Sequence, residues 1–351
     1  LVAQAISAED VIAALAQINY PGYPADIVAL GMVESAIADG RGGYTITLRH
    51  ASDREEPLRQ VAGRIHETLA HDLGLRKVEF KVQKIAPELG EKAGRARLAG
   101  TRWVVAVASG KGGVGKSTVA ANLAVALAAL GYKVGLLDAD IYGPSVPTMF
   151  AVEGERPRSA GGQSFYPIEK YGIRLISIGF FLTDKTPVIW RGPMVMSAVR
   201  QFLQDTLWGT QDFLIVDLPP GTGDAQLTLA QQVALDGVVI VTTPQNVATA
   251  DALRAVRMFR QVHCPLLGVV ENMSYFVCPD CGEQEELFGA GGGEKMAAAE
   301  GMEKLVEVPL DAELRASGDR GMPIMLANPG HPSSQAFIQL ARRVREAMPQ
   351  A

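Results

Sequence analysis

Residues 110–118 read Gly110-Lys111-Gly112-Gly113-Val114-Gly115-Lys116-Ser117-Thr118, and this stretch decides the fold. Its spacing satisfies the pattern G-x4-G-K-[ST] of a phosphate-binding loop without a mismatch. The glycines let the backbone curl so that its N–H groups converge on phosphate oxygens. Lys116 then supplies a point charge, and the Ser117 hydroxyl supplies a ligand for Mg²⁺. The flanks agree with this reading. Val104 to Ala108 is a short apolar run that reads as a strand, and Val119 to Leu130 reads as an Ala-rich helix whose N-terminus faces the anion.

Working outward, Val134 to Leu137, Leu214 to Val216, Val238 to Val241 and Leu266 to Val270 are nearly continuous in apolar residues. Strands buried on both faces of a parallel sheet have this composition. The sequence therefore predicts a doubly wound, mostly parallel α/β sheet over residues 101–351, with ligand at the carboxyl ends of its strands. Residues 1–86 read differently. Ser7 and Asp10 form a helix-start pattern ahead of Val11, Ile12, Leu15 and Ile18. Val33 to Ile37 reads as a first strand, Tyr44, Ile46 and Leu48 alternate as a second, and Val78, Phe80 and Val82 alternate as a third. Leu58, Val61, Ile65, Leu69 and Leu73 recur at helical spacing. The order α-β-β-α-β predicts a small α+β domain, and residues 87–100, mixed in Pro, Gly, Ala and charge, read as a linker.

The 351-residue chain is 48% hydrophobic and 20% charged, as in an ordinary globular protein. Its formal net charge of −5 gives no electrostatic reason to expect nucleic acid or an anionic membrane as partner. The weakly polar stretch from Ala121 to Leu136 is interrupted by Asn122 and Lys133, which suits a buried helix and strand better than a membrane span. Three cysteines make no disulfide framework, and no secretory pattern opens the chain. The expectation is a soluble cytoplasmic protein.

Three aspartates fall where a nucleotide site needs carboxylates. Asp217 ends the strand Phe213 to Val216, the place for a group that holds Mg²⁺. Asp138 and Asp140 follow the strand Val134 to Leu137. A carboxylate there, Asp140 first and Asp138 as the alternative, can orient the attacking water, since phosphoryl transfer needs positioning more than covalent help. Pro219 to Asp224 then reads as a rigid loop suited to sensing a terminal phosphate.

Cys278-Pro279-Asp280-Cys281-Gly282 carries the other chemistry. Two thiolates at this spacing grip one metal from the same side of a tight turn. A tetrahedral zinc or a four-iron cluster takes four thiolates, so the arithmetic closes if two chains each donate a pair. A structural zinc, a redox pair and an inert turn are the other readings. Cys264 reads as a buried strand-edge residue. The five histidines form no ligand pattern, and His66 and His71 fall on a solvated helix face.

The second lysine of the loop, Lys111, is the point at which the chain resembles the deviant Walker A ATPases. In that class this lysine reaches across a nucleotide-sandwich dimer to the partner's phosphates. The whole set of segments is similar to the Mrp/ApbC family of P-loop iron–sulfur cluster carriers. It comprises Gly110 to Thr118, Leu137 to Ser145, Trp190 to Met194, Asp217 to Asp224, Glu271 to Ser274 and Cys278-x-x-Cys281. The resemblance spans roughly residues 100–345. It implies a homodimer that binds ATP with Mg²⁺, bridges a [4Fe–4S] cluster through Cys278 and Cys281 of both chains, and exchanges it with donor and acceptor apo-proteins. It implies catalytic roles for Lys111, Lys116 and Asp140, adenine recognition by Asn272, and a base-adjacent role for Val308 to Asp311. The first 86 residues resemble the small iron–sulfur assembly domain that often precedes this ATPase, through Asp26 to Val33. They depart from it in lacking any cysteine, and Arg49 to Pro57 stands where a reactive one is often found. Two other functions share these motifs: a positioning ATPase that acts on membranes or DNA, and a dimer with a structural zinc. The amphipathic end, Phe337 to Arg345, reads as a core-packing helix and favours neither membrane nor DNA.

Overall fold

The computed structural model describes residues 6–19, 26–28, 32–39, 43–50, 55–75, 77–84, 98–141, 143–161, 164–181 and 192–349. They form two compact units that part near residue 100. Most of the 87–100 stretch, Tyr142, and Trp190 with Arg191 lie outside the described residues.

The smaller unit runs α1 (Ala8–Leu15), β1 (Val33–Ala38), β2 (Tyr44–His50), α2 (Glu55–Asp72) and β3 (Val78–Lys84). Ser7 caps α1 through a reciprocal pair. Its hydroxyl accepts from the Asp10 amide at 3.1 Å, and the Asp10 carboxylate accepts from the Ser7 amide at 2.9 Å. β2 is central, antiparallel to β1 and parallel to β3. Val11 and Leu15 of α1 and Val61, Ile65 and Leu69 of α2 bury against Ile46 and Leu48. Both edge strands leave an apolar residue exposed, Ile37 of β1 and Val82 of β3.

The larger unit begins with β4 (Thr101–Ser109), α3 (Lys116–Ala129), β5 (Val134–Asp138) and α4 (Val146–Met149). Short strands β6 (Ser159–Gly161) and β7 (Ser164–Phe165) pair with each other, and β8 (Ile168–Lys170) and β9 (Ile173–Ser177) follow. Next come α5 (Gly192–Gln204), β10 (Gln211–Asp217), α6 (Asp224–Gln232), β11 (Gly237–Thr242), α7 (Asn246–Gln261) and β12 (Leu266–Asn272). A two-stranded ribbon, β13 (Phe276–Val277) with β14 (Gln284–Glu285), precedes α8 (Gly292–Ala299) and β15 (Lys304–Val308). Helices α9 (Ala312–Asp319), α10 (Ile324–Ala327) and α11 (Pro332–Ala347) close the chain.

Eight strands form one sheet in the order β15-β12-β11-β4-β10-β5-β9-β8. All neighbours are parallel except the hairpin β8–β9 at the edge. β4 and β10 are buried along nearly their whole length. Helix α3 is apolar almost all round, with Val119 to Leu127 buried, because it lies between the sheet and α11. The apolar face of α11, with Phe337, Leu340, Ala341 and Val344, is spent on that same core. No helix among the described residues is long and apolar enough to cross a membrane.

Candidate nucleotide and metal site

Parallel pairing sets the site. Asp217 at the end of β10 is in register with Asp138 of β5 on one side and Val107 of β4 on the other, so two strand-end carboxylates and the phosphate loop share one sheet edge. The loop is shaped by its glycines. Gly113 and Gly115 both have φ of 82°, which other residues adopt only with strain. Gly110 lies so close to α7 that a Cβ there would stand 2.1 Å from the Asp251 carbonyl carbon. Gly115 precedes α3 directly, so the helix N-terminus opens onto the loop.

Lys116, the first residue of α3, is buried with 5% of its surface exposed. Its ammonium donates to Asp217 Oδ1 at 2.6 Å and to Ser117 Oγ at 3.2 Å, and lies 3.3 Å from Asp140 Oδ2. Burial works against its charge, but Asp217 and Asp140 outweigh burial and hold its pKa above the usual lysine range. Among the described residues, two buried oxygens of this cluster have no hydrogen-bond partner, Asp217 Oδ2 and Asp140 Oδ1. Together with the Ser117 hydroxyl, these hard oxygens suit a small divalent cation.

Asp138 is built differently. Its Oδ1 accepts from the Asp140 amide at 3.1 Å, and its Oδ2 accepts from Ser177 Oγ at 2.9 Å and the Val146 amide at 3.3 Å. Its carboxyl is thus committed to holding Asp140 and the start of α4 in place. Burial pushes its pKa up to about 7, with the neighbouring charge of Asp217 adding to the rise. The Asp217–Asp224 loop is held by Gln226, whose side-chain amide donates to the carbonyls of Ser109 and Pro219. Neither Ser177 nor Gln226 stands out in the sequence, since each acts on residues distant from it or through backbone carbonyls.

Beside the loop opens a cavity of ~820 Å³, lined by Gly115, Thr118, Asn272, Pro309, Leu310 and Asp311 among others. Asn272, the last residue of β12, donates its side-chain amide to the Val114 carbonyl at 2.9 Å. Asn272 and the segment after β15 therefore meet the phosphate loop at one space with ample room for a nucleoside. Lys111 is half-buried on the loop, where its carbonyl accepts from Ser109 Oγ at 2.9 Å.

Cys278 and Cys281 sit at the tip of the β13–β14 ribbon. The turn is closed by the Cys278 amide donating to Glu283 and the Gly282 amide donating to Cys278, both at 2.9 Å. Gly282 takes the left-handed φ of 75° the turn requires. Cys278 is half-buried, Cys281 is exposed, and residues 279–290 are all exposed. Backbone N–H groups of Cys281 and Asp280 point at the Cys278 sulfur and lower its pKa, which favours the thiolate a metal takes. Among the described residues no group of three or more His, Cys, Asp or Glu side chains gathers as a metal site, so one ribbon brings two ligands and no more. Cys264 is buried, its sulfur 3.7 Å from the Ala230 carbonyl, away from the ribbon's turn in sequence and in setting. His66 and His71 are exposed.

A parallel sheet with this loop and these strand-end carboxylates defines a P-loop ATPase. The comparisons carry the class further. The family model for ParA, the NUBPL iron-transfer P-loop NTPases, matches residues 100–345, and the chain belongs to that family. It is 43% identical to the iron–sulfur cluster carrier protein of Synechocystis sp. over 97% of both chains. It is 54% identical to the iron–sulfur cluster carrier protein of Aquifex aeolicus over 71% of this chain and 68% of that one. Among solved structures, it is similar to a nucleotide-binding protein from Archaeoglobus fulgidus in complex with ADP. That match has 40% identity and a TM-score of 0.59, covering 68% of this chain and 92% of that one. A chain of the Aquifex aeolicus MinC:MinD cell division protein complex, at 24% identity and a TM-score of 0.54 over 71% of this chain and 98% of its own, shares the fold.

Proposed function

We propose that this protein is an ATP-hydrolysing iron–sulfur cluster carrier that works as a homodimer, holds a [4Fe–4S] cluster between the two copies of its cysteine ribbon and passes it to apo-proteins. The observation that carries this reading is the placement of Cys278 and Cys281 together on a projecting turn, in a chain whose sheet edge is a nucleotide site. Two ligands per chain make four in a symmetric pair, which is the number a cubane cluster takes. Relatives carrying the cluster-carrier name over nearly the whole chain support it.

The phosphate loop and the N-terminus of α3 bind the phosphates, and Lys116 exchanges its carboxylate partners for their oxygens. Ser117 and Asp217 offer the oxygens for Mg²⁺, which when bound neutralises charge developing on the β- and γ-phosphates. Asp140 orients the water that attacks the γ-phosphorus as the bond to the ADP oxygen breaks, and Asp138 fixes the Asp140 backbone for that task. Lys111 reaches the phosphates of the second chain. Asn272 and residues 309–311 hold the adenine. The N-terminal unit has no cysteine and serves docking or regulation.

The apolar face of α11 packs into the core and is not free to lie on a membrane. Cluster transfer tests the proposal. The anaerobically reconstituted protein is mixed with an apo-enzyme that needs a [4Fe–4S] cluster, and activity recovery is followed with and without ATP. Recovery faster than from free iron and sulfide supports a carrier. A chain that retains only zinc and activates nothing contradicts it.

A further inference from the structure

The cysteine ribbon and the nucleotide cavity share a wall. Phe276, which opens β13, and Leu287, two residues past β14, line the same ~820 Å³ cavity as Gly115, Thr118 and Asn272. Cys278 stands two residues beyond Phe276, within about 7 Å along an extended chain. Leu287 is 54% exposed, an apolar side chain on an open cavity wall.

The roots of the ribbon are fixed to the nucleotide site. The Ser274 amide donates to the Val308 carbonyl at 3.0 Å, and the Leu310 amide donates to the Tyr275 carbonyl at 2.7 Å. Glu271, fully buried, accepts from Ser274 Oγ at 2.6 Å and from the Gly293 amide in the first turn of α8. One carboxylate therefore holds both ends of the segment that carries the cysteines, and its neighbour Asn272 bonds the phosphate loop. The segment is thus clamped at its roots and places one apolar residue of each limb on the cavity wall.

We propose that Phe276 and Leu287 contact the base of the bound adenine nucleotide, and that occupancy of the base site sets the stance of the Cys278–Cys281 turn. The proposal rests on the reading of the cavity as an adenine-nucleotide site. By linkage, a metal that orders the turn changes nucleotide affinity by the same factor.

The test uses the full-length reduced protein, ADP, and inorganic pyrophosphate as a base-free probe. Alkylation of Cys278 and Cys281 by iodoacetamide is followed by mass spectrometry, with binding of both probes measured by calorimetry. Saturating ADP is expected to change the alkylation rate of the pair about fivefold or more, and pyrophosphate to leave it nearly unchanged. Leu287→Ala is expected to weaken ADP about fivefold while sparing pyrophosphate, as loss of an apolar contact to the base requires. At saturating ADP this variant's alkylation response shrinks. ADP that binds yet leaves both thiols unaffected, or pyrophosphate that acts as strongly as ADP, overturns the coupling and leaves the nucleotide reading intact. A chain that binds pyrophosphate but no ADP overturns both.

Discussion

Lys116 and Asp217 form a buried 2.6 Å ion pair that joins the first residue of α3 to the last residue of β10. The pair ties the phosphate loop to the strand-end carboxylate, and in the proposed mechanism a phosphate draws the ammonium away from Asp217.

Removing the lysine therefore does more than remove the proposed phosphate ligand. Lys116→Ala leaves Asp217 buried without its counter-charge, and breaking a buried pair in this way costs about 3–5 kcal/mol. Urea unfolding at pH 8 is expected to show a loss of that order, together with loss of ADP binding. Adding Asp217→Asn to Lys116→Ala should recover a large part of the stability but none of the binding. A double variant no more stable than Lys116→Ala would show that the carboxylate is not what the lysine neutralises.

Asp138 gives a pH dependence of definite sign. Its folded-state pKa lies at about 7 against 3.8 unfolded. Its contribution to stability is thus fully present below pH 3.8 and is lost as pH rises through 7, a swing on the order of 4 kcal/mol. Asp138→Asn removes this swing. The variant's stability relative to the native chain should improve between pH 5 and pH 8 in urea titrations. A relative stability that stays level across this range would place the charge of Asp138 elsewhere.

The two lysines of the loop are expected to part company. Lys116 is buried in the cluster, whereas Lys111 is half-buried on the loop. Lys111→Ala should leave ADP affinity within about twofold while ATP turnover falls at least ~100-fold, as for loss of a charge acting mainly in the transition state. Equal losses of ADP affinity in Lys111→Ala and Lys116→Ala would argue against action across a dimer.

Asn272 tests how the nucleoside cavity is held to the loop. Asn272→Asp puts a carboxylate where an amide now donates to Val114, turning an attraction into a repulsion. An unmet buried carbonyl costs about 1–3 kcal/mol of fold stability, and a carboxylate in place of the amide beside the base should lower ADP affinity about tenfold in calorimetry. Unchanged affinity would remove Asn272 from the site.

Much of this molecule is legible in the sequence where the signal is local. The glycine spacing fixes Gly113 and Gly115 at positive φ, the apolar runs mark β4, β5, β10, β11 and β12, and Ser7 with Asp10 marks the start of α1. Signals that depend on pairing across the chain are not. β8 is three residues long and antiparallel on a parallel sheet, and only its partner β9 defines it. Val82 alternates with Val78 and Phe80 like a core residue yet is exposed, as is Ile37 of β1, because edge strands bury less than their composition suggests. In the site, Asp217, Asp140 and Asp138 are visible as strand-end carboxylates. The division of labour among them is not, since it depends on Ser177, 39 residues away, filling the second oxygen of Asp138. Glu271 is a lone carboxylate ending an apolar strand, a pattern that marks its position but not the two donors it holds.

Cluster binding by the cysteine ribbon is read from metal content. The anaerobically reconstituted native chain, Cys278→Ala and Cys264→Ala are assayed for iron, sulfide and zinc, with molar mass by light scattering. The native chain is predicted to be a dimer with about four irons and four sulfides per two chains. Cys278→Ala should lose them, and Cys264→Ala, a change at a buried sulfur, should keep them. A Cys278→Ala protein with full iron, or a native dimer that holds zinc and no sulfide, would rule out a cluster shared between the two ribbons.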